Sequence, residues 1–144
     1  QTADLEENHP GIKAWLDECP AQNLRHPIPL NVDHSPWPVD SIDAVFTANT
    51  CHIMAWESVV NMFDEIASLL ASGAVLAVYG PFNYNGQFTS ESNARFHQWL
   101  QQRAQHQGIR DFEAVNALAE KAGFTLIEDN EMPANNRLIV WKKI

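Results

Sequence analysis

An α/β fold with a mainly parallel sheet follows from three features of this sequence. Short apolar runs alternate with longer segments of helical period, the arrangement that places crossover helices between parallel strands. One run, Ala74 to Tyr79, is apolar throughout, as strands covered on both faces are. The chain closes on two apolar-rich runs flanking Pro133-Ala134-Asn135-Asn136, a pattern that predicts an antiparallel hairpin at or near one edge.

The elements follow in order. "HPGIKAWLDECP" predicts a short helix closed by Pro20, with Ile12, Trp15 and Leu16 on one face. "HPIPLNVD" reads as a strand ending near Asp33, and "HSPWPVDS" as a turn-rich loop. Residues 42–48 form the next strand and residues 55–70 a helix, whose Val59, Met62, Phe63, Ile66, Leu69 and Leu70 recur near the 3.6-residue period. Gly73 is expected to end that helix, and Gly80-Pro81 to stop the strand that follows. Ser90 suits the cap of a helix running to about Gln105, with Phe96, Trp99 and Leu100 inward. Asp111 suits the cap of another, striped by Val115, Leu118, Ala119 and Ala122 and stopped by Gly123. No internal repeat and no low-complexity tract interrupts this order.

Composition narrows the function classes. With 144 residues, 45% hydrophobic and 19% charged, the chain fits one globular domain with a real core. A net charge of −9 argues against a generic nucleic-acid binder, which needs a basic face. No apolar run reaches the roughly 18 residues of a membrane span, and no stretch with a basic start and an apolar centre reads as a secretory leader. Cys19 and Cys51 make neither a metal spacing nor a disulfide framework, so a reducing, cytoplasmic setting is expected. The six histidines do not cluster, and no metal site is expected. A G-x-S-x-G elbow, a phosphate-binding P-loop and H-E-x-x-H are absent.

In open α/β sheets, ligands bind beyond the carboxyl ends of the strands. That rule singles out Asn49, Thr50, Cys51 and His52, which follow the strand at 42–48 directly. It also selects Asp33, Tyr79 to Asn83 and, near the chain start, Asp4. Each residue has a plainer reading. Asp33 can begin an Asx-turn, Asn49 and Thr50 can satisfy strand-end backbone groups, and Cys51 can be a small buried side chain. His52 titrates in the range useful for acid–base chemistry, but a lone histidine is more often a packing residue. Arg95 and Arg110 stand beside loops or helix starts, where an arginine can hold an anionic group or simply be solvated.

The stretches "VDSIDAVFTANTCHIMAWESV", "VLAVYGPFNYNGQFTSESNARFHQWL", "GIRDFEAVNALAEKAGF" and "DNEMPANNRLIVWKK" resemble the methyltransferase-like protein 26 family and its bacterial relatives. The likeness extends more loosely through "GIKAWL" and "PLNVDHSPWPVD", nearly the whole chain. That family is similar to class I S-adenosylmethionine-dependent methyltransferases. The resemblance implies a Rossmann-like, mainly parallel sheet with a C-terminal antiparallel hairpin. It also implies S-adenosylmethionine as cofactor and a small molecule as methyl acceptor. By it, Asp4 is the acid after the second strand that holds the ribose, with Glu6 the poorer match. Asp33 reaches the adenine amino group, and Asn49, Thr50 and His52 face the methionine part, His52 being the nearest base. Asn83, Tyr84, Arg110 and Asn136 are the candidate substrate rim.

One part departs from that pattern. Class I enzymes carry a Gly-rich loop after their first strand, and none of the six glycines here makes a G-x-G. Residues 1–144 are therefore expected to form a single, partial domain that starts at the end of the second strand. Strand edges left unpaired by such a start favour a homodimer. The competing expectation is a non-catalytic binding or assembly module that keeps the methyltransferase fold.

Overall fold

Tyr79 and its neighbours lie in the strand that organises most of the chain. In the computed structural model, which describes residues 1–144, contacts divide the chain into two units, Gln1–Asp40 and Ser41–Ile144. The second unit is built on a four-stranded sheet. Its strands are β3 (Ile42–Ala48), β4 (Leu70–Gly80), β7 (Phe124–Met132) and β8 (Asn136–Lys143), in the order β3-β4-β8-β7. β3 runs parallel to β4, with Val45 opposite Leu76 and Thr47 opposite Val78. β8 runs antiparallel to both β4 and β7. The closing hairpin expected from the sequence is thus present, with β8 inside the sheet and β7 at its edge.

Strand alternation explains the core. Leu76 and Val78 share a face of the sheet with Ile139 and Trp141, their cross-strand partners in the antiparallel pair, and all four are fully buried. Helix α2 (Trp56–Leu69) contributes Val59, Met62, Phe63 and Ile66, and α4 (Phe112–Lys121) contributes Val115 and Ala119. The Phe63 and Trp141 rings meet edge to face at 5.9 Å. The indole nitrogen of Trp141 donates to Asn116 Oδ1 at 2.8 Å, so the largest core side chain is buried with its polar atom satisfied. Along β3, Ala44, Phe46 and Ala48 stay exposed, Phe46 by 68%.

Several local expectations hold and several move. Ser90 caps α3 (Glu91–Arg103) by accepting from Asn93 N at 3.1 Å. Gly123 ends α4 with φ +82°, its N–H donating back to Glu120 O, the left-handed stop that glycine accommodates. Asp111 sits at the α4 cap position, but its side chain makes no capping bond. Helix α2 ends at Leu69, before Gly73, because the chain passes directly into β4. Gly73 instead serves an irregularity in the β3–β4 register with φ +89°. Two short strands were not foreseen. β5 (Phe82–Asn83) and β6 (Arg110–Asp111) pair in parallel just beyond the end of β4.

The first unit contains β1 (Ala3–Asp4), α1 (His9–Glu18) and β2 (Ile28–Pro29), with β1 and β2 paired in parallel. The strand expected to reach Asp33 shortens to two residues. Pro27 and Pro29 offer no N–H to a ladder, and Asn31 turns the chain by accepting from Asp33 N at 2.9 Å. An Asx-turn therefore begins at Asn31. No helix is long and apolar enough to cross a membrane.

Trp141→Ala should cost about 3–5 kcal/mol, since it empties a large core site and leaves Asn116 without its indole partner. Urea denaturation of the variant beside the parent checks this; a loss under about 1 kcal/mol would mean that the core does not close on this ring.

Candidate functional site

In the second unit, the ends of β3 and β4 and the β7–β8 turn bring several expected residues together. Asn49 leaves β3 in the left-handed region, φ +59°, a conformation that asparagine tolerates better than most residues. Its N–H donates to Tyr79 O at 2.8 Å, which ties the end of β3 to the end of β4. The Thr50 hydroxyl lies 2.9 Å from that of Thr47, and Thr50 O accepts from Ile53 N and Met54 N. Cys51 and His52 turn inward and are 5% exposed. Burial pushes the Cys51 thiol up to about 11, so it is a neutral packing group and not a thiolate. The His52 ring meets Phe96 edge to face at 5.4 Å. Burial first, and the Arg110 charge second, lower its pKa, so the imidazole is neutral at physiological pH.

Arg110 has a task that the sequence did not suggest. Its Nε donates to Cys51 O at 3.1 Å, and its Nη2 donates to Met54 O at 2.6 Å and His106 O at 2.8 Å. The guanidinium thus clamps the turn at 51–54 to the approach to β6, and it lies over the Trp56 ring at 5.9 Å. Gly108 N donates to His52 O at 2.9 Å and reinforces the same junction. These three bonds use Nε and Nη2.

Asn83, Tyr84 and Asn136 lie on the other side of the β4 end. Asn83 is 7% exposed, and its Oδ1 is a buried acceptor with no hydrogen-bond partner. Tyr84 stacks on Phe112 at 5.2 Å and donates to the Asp129 carboxylate, with distances of 2.8 and 3.0 Å to its two oxygens. Burial, followed by the Asp129 carboxylate, raises the phenol well above its ordinary range, so it stays protonated. Arg137 donates through Nε to Asp129 Oδ1 at 2.8 Å and pairs through Nη1 with Glu131 Oε1 at 3.2 Å. Asn136 Nδ2 donates to Tyr79 OH at 3.1 Å and to Pro133 O. An open cleft of about 410 Å³ is lined by Tyr84, Thr89, Glu131, Met132, Asn135, Asn136 and Arg137; Asn83 is not part of its lining.

The cleft wall is held from behind by Asn93, which is buried. Its amide donates to Thr89 Oγ1 at 3.1 Å and to Asn135 O at 3.2 Å. Ala134 and Asn135 both take φ +59°, so the turn is strained, and the bonds to Asn93 and Ser92 fix it against α3. The sequence reading missed Asn93, Asp129, Glu131 and Arg137. A signal was present: acids at 129 and 131 interrupt an apolar-rich hairpin and face one arginine across its turn.

In the first unit, Asp4 Oδ1 accepts from Leu5 N at 2.7 Å and Asn8 Nδ2 at 2.8 Å, while Asp4 O lies 3.0 Å from His9 Nε2. Asp4 thereby organises the start of the turn at Glu6–Asn8 that leads into α1. Asp33 is exposed on the turn after β2.

The family described as "Protein of unknown function (DUF938)" matches residues 1–143. An O-methyltransferase family protein from Burkholderia thailandensis is similar over 98% of this chain, with TM-score 0.85 and 13% identity. An O-methyltransferase family 2 protein from Planctomyces limnophilus, in complex with apigenin, matches over 99% with TM-score 0.86 and 13% identity. LepI in complex with SAM matches over 99% with TM-score 0.77 and 17% identity. The chain spans 42%, 42% and 35% of these chains respectively, less than half of each. The fold is therefore the Rossmann-like α/β fold of methyltransferase structures, over part of their length.

His52 gives a pH prediction. Its lowered native pKa means that the unfolded chain binds the proton more readily. The stability it contributes is fully present above the ordinary value of 6.5 and is lost as pH falls below that value towards the native one. His52→Gln should therefore flatten the loss of stability between about pH 7.5 and about pH 5. Urea midpoints across that range decide it; an unchanged slope would show that the ring is not buried neutral.

Proposed function

The chain belongs to the DUF938 family, and on that premise we propose that it is part of an S-adenosylmethionine-dependent, methyltransferase-like protein acting on a small molecule. The observation that carries this reading is the fold likeness along nearly the whole chain to methyltransferase structures. The finer resemblance to the methyltransferase-like protein 26 family agrees with it. One neighbour holding SAM and another holding apigenin support the cofactor and a small-molecule acceptor.

The residues present suit the cofactor by chemistry. A ribose diol and an adenine amino group are hydrogen-bond donors, and the acceptors Asp4, which closes β1, and Asp33, which follows β2, suit them. Asp4 commits its Oδ1 to the local turn, which leaves Oδ2 for a ribose hydroxyl. Asn49 and Thr50, on the turn fixed by the Tyr79 carbonyl, are proposed to face the methionine part. When bound, the cofactor supplies an electrophilic methyl group on a sulfonium. The chain's own share is then alignment of the acceptor more than acid–base power. His52 is the proposed base where the acceptor must lose a proton, its neutral ring being the form that takes one. Asn83, with its buried unpartnered Oδ1, is proposed to meet a donor of the acceptor molecule. Tyr84 and Asn136 are proposed as the rim. Arg110 is assigned to holding the turn at 51–54 and not to substrate. Two free thiols accord with the proposed cytoplasmic setting.

A second reading is a binding or assembly module without catalysis. It is favoured by His52, whose ring has no carboxylate to orient or activate it. Transfer of a labelled methyl group to any metabolite in a cell extract would overturn this second reading.

Calorimetric titration of the protein with S-adenosylmethionine tests the first reading. Binding is expected, and Asp33→Ala should weaken it by about 1.5–3 kcal/mol with the fold unchanged, the size of a lost hydrogen bond to a charged group. No heat at millimolar cofactor would sink the reading, and an unchanged Asp33→Ala affinity would remove that residue from it.

The proposed homodimer is attached to the exposed β3 edge, where Phe46 stands clear of its own chain. Light scattering should give a mass above the 16.2 kDa of one chain, and Phe46→Lys should return it to that value. A parent protein that is monomeric at all concentrations would remove the dimer.

A further inference from the structure

We propose that the cleft between Tyr84, Thr89 and the β7–β8 turn recognises the ammonium group of a small organic amine. The inference deepens the small-molecule reading above and rests on it only for naming that amine a substrate; the binding itself needs no cofactor.

The proposal follows from which polar atoms are already committed. Arg137 is the one cation of the cleft, and three of its five N–H donors are committed. Nε lies 2.8 Å from Asp129 Oδ1, Nη2 lies 3.2 Å from Asp129 O, and Nη1 lies 3.2 Å from Glu131 Oε1. Its side chain is 19% exposed, whereas that of Glu131 is 91% exposed. The Tyr84 hydroxyl hydrogen is directed at Asp129. Asn135 Nδ2 donates to Ser92 Oγ at 3.1 Å, and Asn136 Nδ2 donates to Tyr79 OH. The acceptors that remain are the amide oxygens of Asn135 and Asn136 and the second carboxylate oxygen of Glu131. The Thr89 hydroxyl, which accepts from Asn93, can still donate, as can the N–H groups of Arg137 and Asn135 that these bonds do not use.

Charge points the same way. Asp129, Glu131 and Arg137 leave one net negative charge at the cleft, in a chain whose net charge is −9. A carboxylate or phosphate would meet this net negative charge, whereas an ammonium group brings the matching sign and up to three donors for the acceptors that remain. A metal ion is poorly served, since no three His, Cys, Asp or Glu side chains converge anywhere in the chain. Met132 supplies apolar contact for the hydrocarbon part. The wall is built before the ligand arrives, because Asn93 fixes Thr89 and Asn135 together.

The test titrates the 15N-labelled chain, without cofactor, with 2-phenylethylamine, 2-phenylethanol and phenylacetate, which share a ring and differ in charge. The backbone signals of residues 131–137 and the side-chain amides of Asn135 and Asn136 should shift with the amine. Phenylacetate should bind about tenfold more weakly or not at all. Glu131→Gln, a change at an exposed side chain, should weaken the amine about fivefold and leave the alcohol unchanged. Equal or tighter binding of phenylacetate, shifts confined to other residues, or no response to any probe would overturn the proposal. Calorimetry with S-adenosylmethionine reports separately on the methyltransferase reading, so the two can fail independently.

Discussion

Backbone pairing of β4 on both of its sides is the constraint from which the second unit follows. On one side it takes β3 in parallel, and on the other β8 in antiparallel register. Tyr79, near its end, then serves both neighbours at once. Its carbonyl accepts the N–H of Asn49, and its hydroxyl accepts the amide of Asn136. The turn after β3 and the turn before β8 are therefore held by one residue of the strand between them. Gly80 follows at φ +158°, beside Asn49 and His52, and lets the chain leave the sheet there.

Two kinds of polar residue surround that point, and their partners separate them. On the β3 side, polar groups serve the backbone: Arg110 reaches three carbonyls, and Asn49 and Thr50 shape a turn. On the hairpin side, polar groups serve one another, from Tyr84 through Asp129 to Arg137 and Glu131. A low local dielectric strengthens such a chain of bonds and makes an unpaired member costly. The unpaired Oδ1 of Asn83, between these two regions, is conspicuous for that reason.

The fold was legible where periodicity and punctuation agree. The α2 stripe, the apolar run of β4, the Ser90 cap and the Gly123 stop are all local signals, and the structure repeats them. The misreadings arose where a distant partner decides. Gly73 looks like a helix stop, yet the chain enters β4 earlier because Leu70 already has Ile42 to pair with. Arg110 reads as an anion holder, because two of the three carbonyls it binds are more than fifty residues away. Asn93 sits in a polar helix that gave no reason to prefer it to Asn116 or Asn130. Only the packing of the 133–136 turn against α3 distinguishes it. The rule placing ligands at strand ends needs no tertiary knowledge and selects Asn49 to His52 and Tyr79 to Asn83, whereas Tyr84 and Asn136 follow only from the family resemblance.

The mixed direction of the sheet bears on how the chain reaches this structure. β7 and β8 are joined by a tight turn and can meet early, as can β3 and β4 across a single helix. The antiparallel seam between β4 and β8 unites Val75 with Lys142 and Gly80 with Arg137, across all of α3 and α4. That seam carries the greatest loop-closure entropy in the unit, so it belongs to the later, slower stage of assembly. Until it zips, the two locally formed pieces expose the apolar faces that later bury Trp141. The same seam assembles the acceptor-rich cleft, so the cleft is completed only when the last part of the sheet has closed.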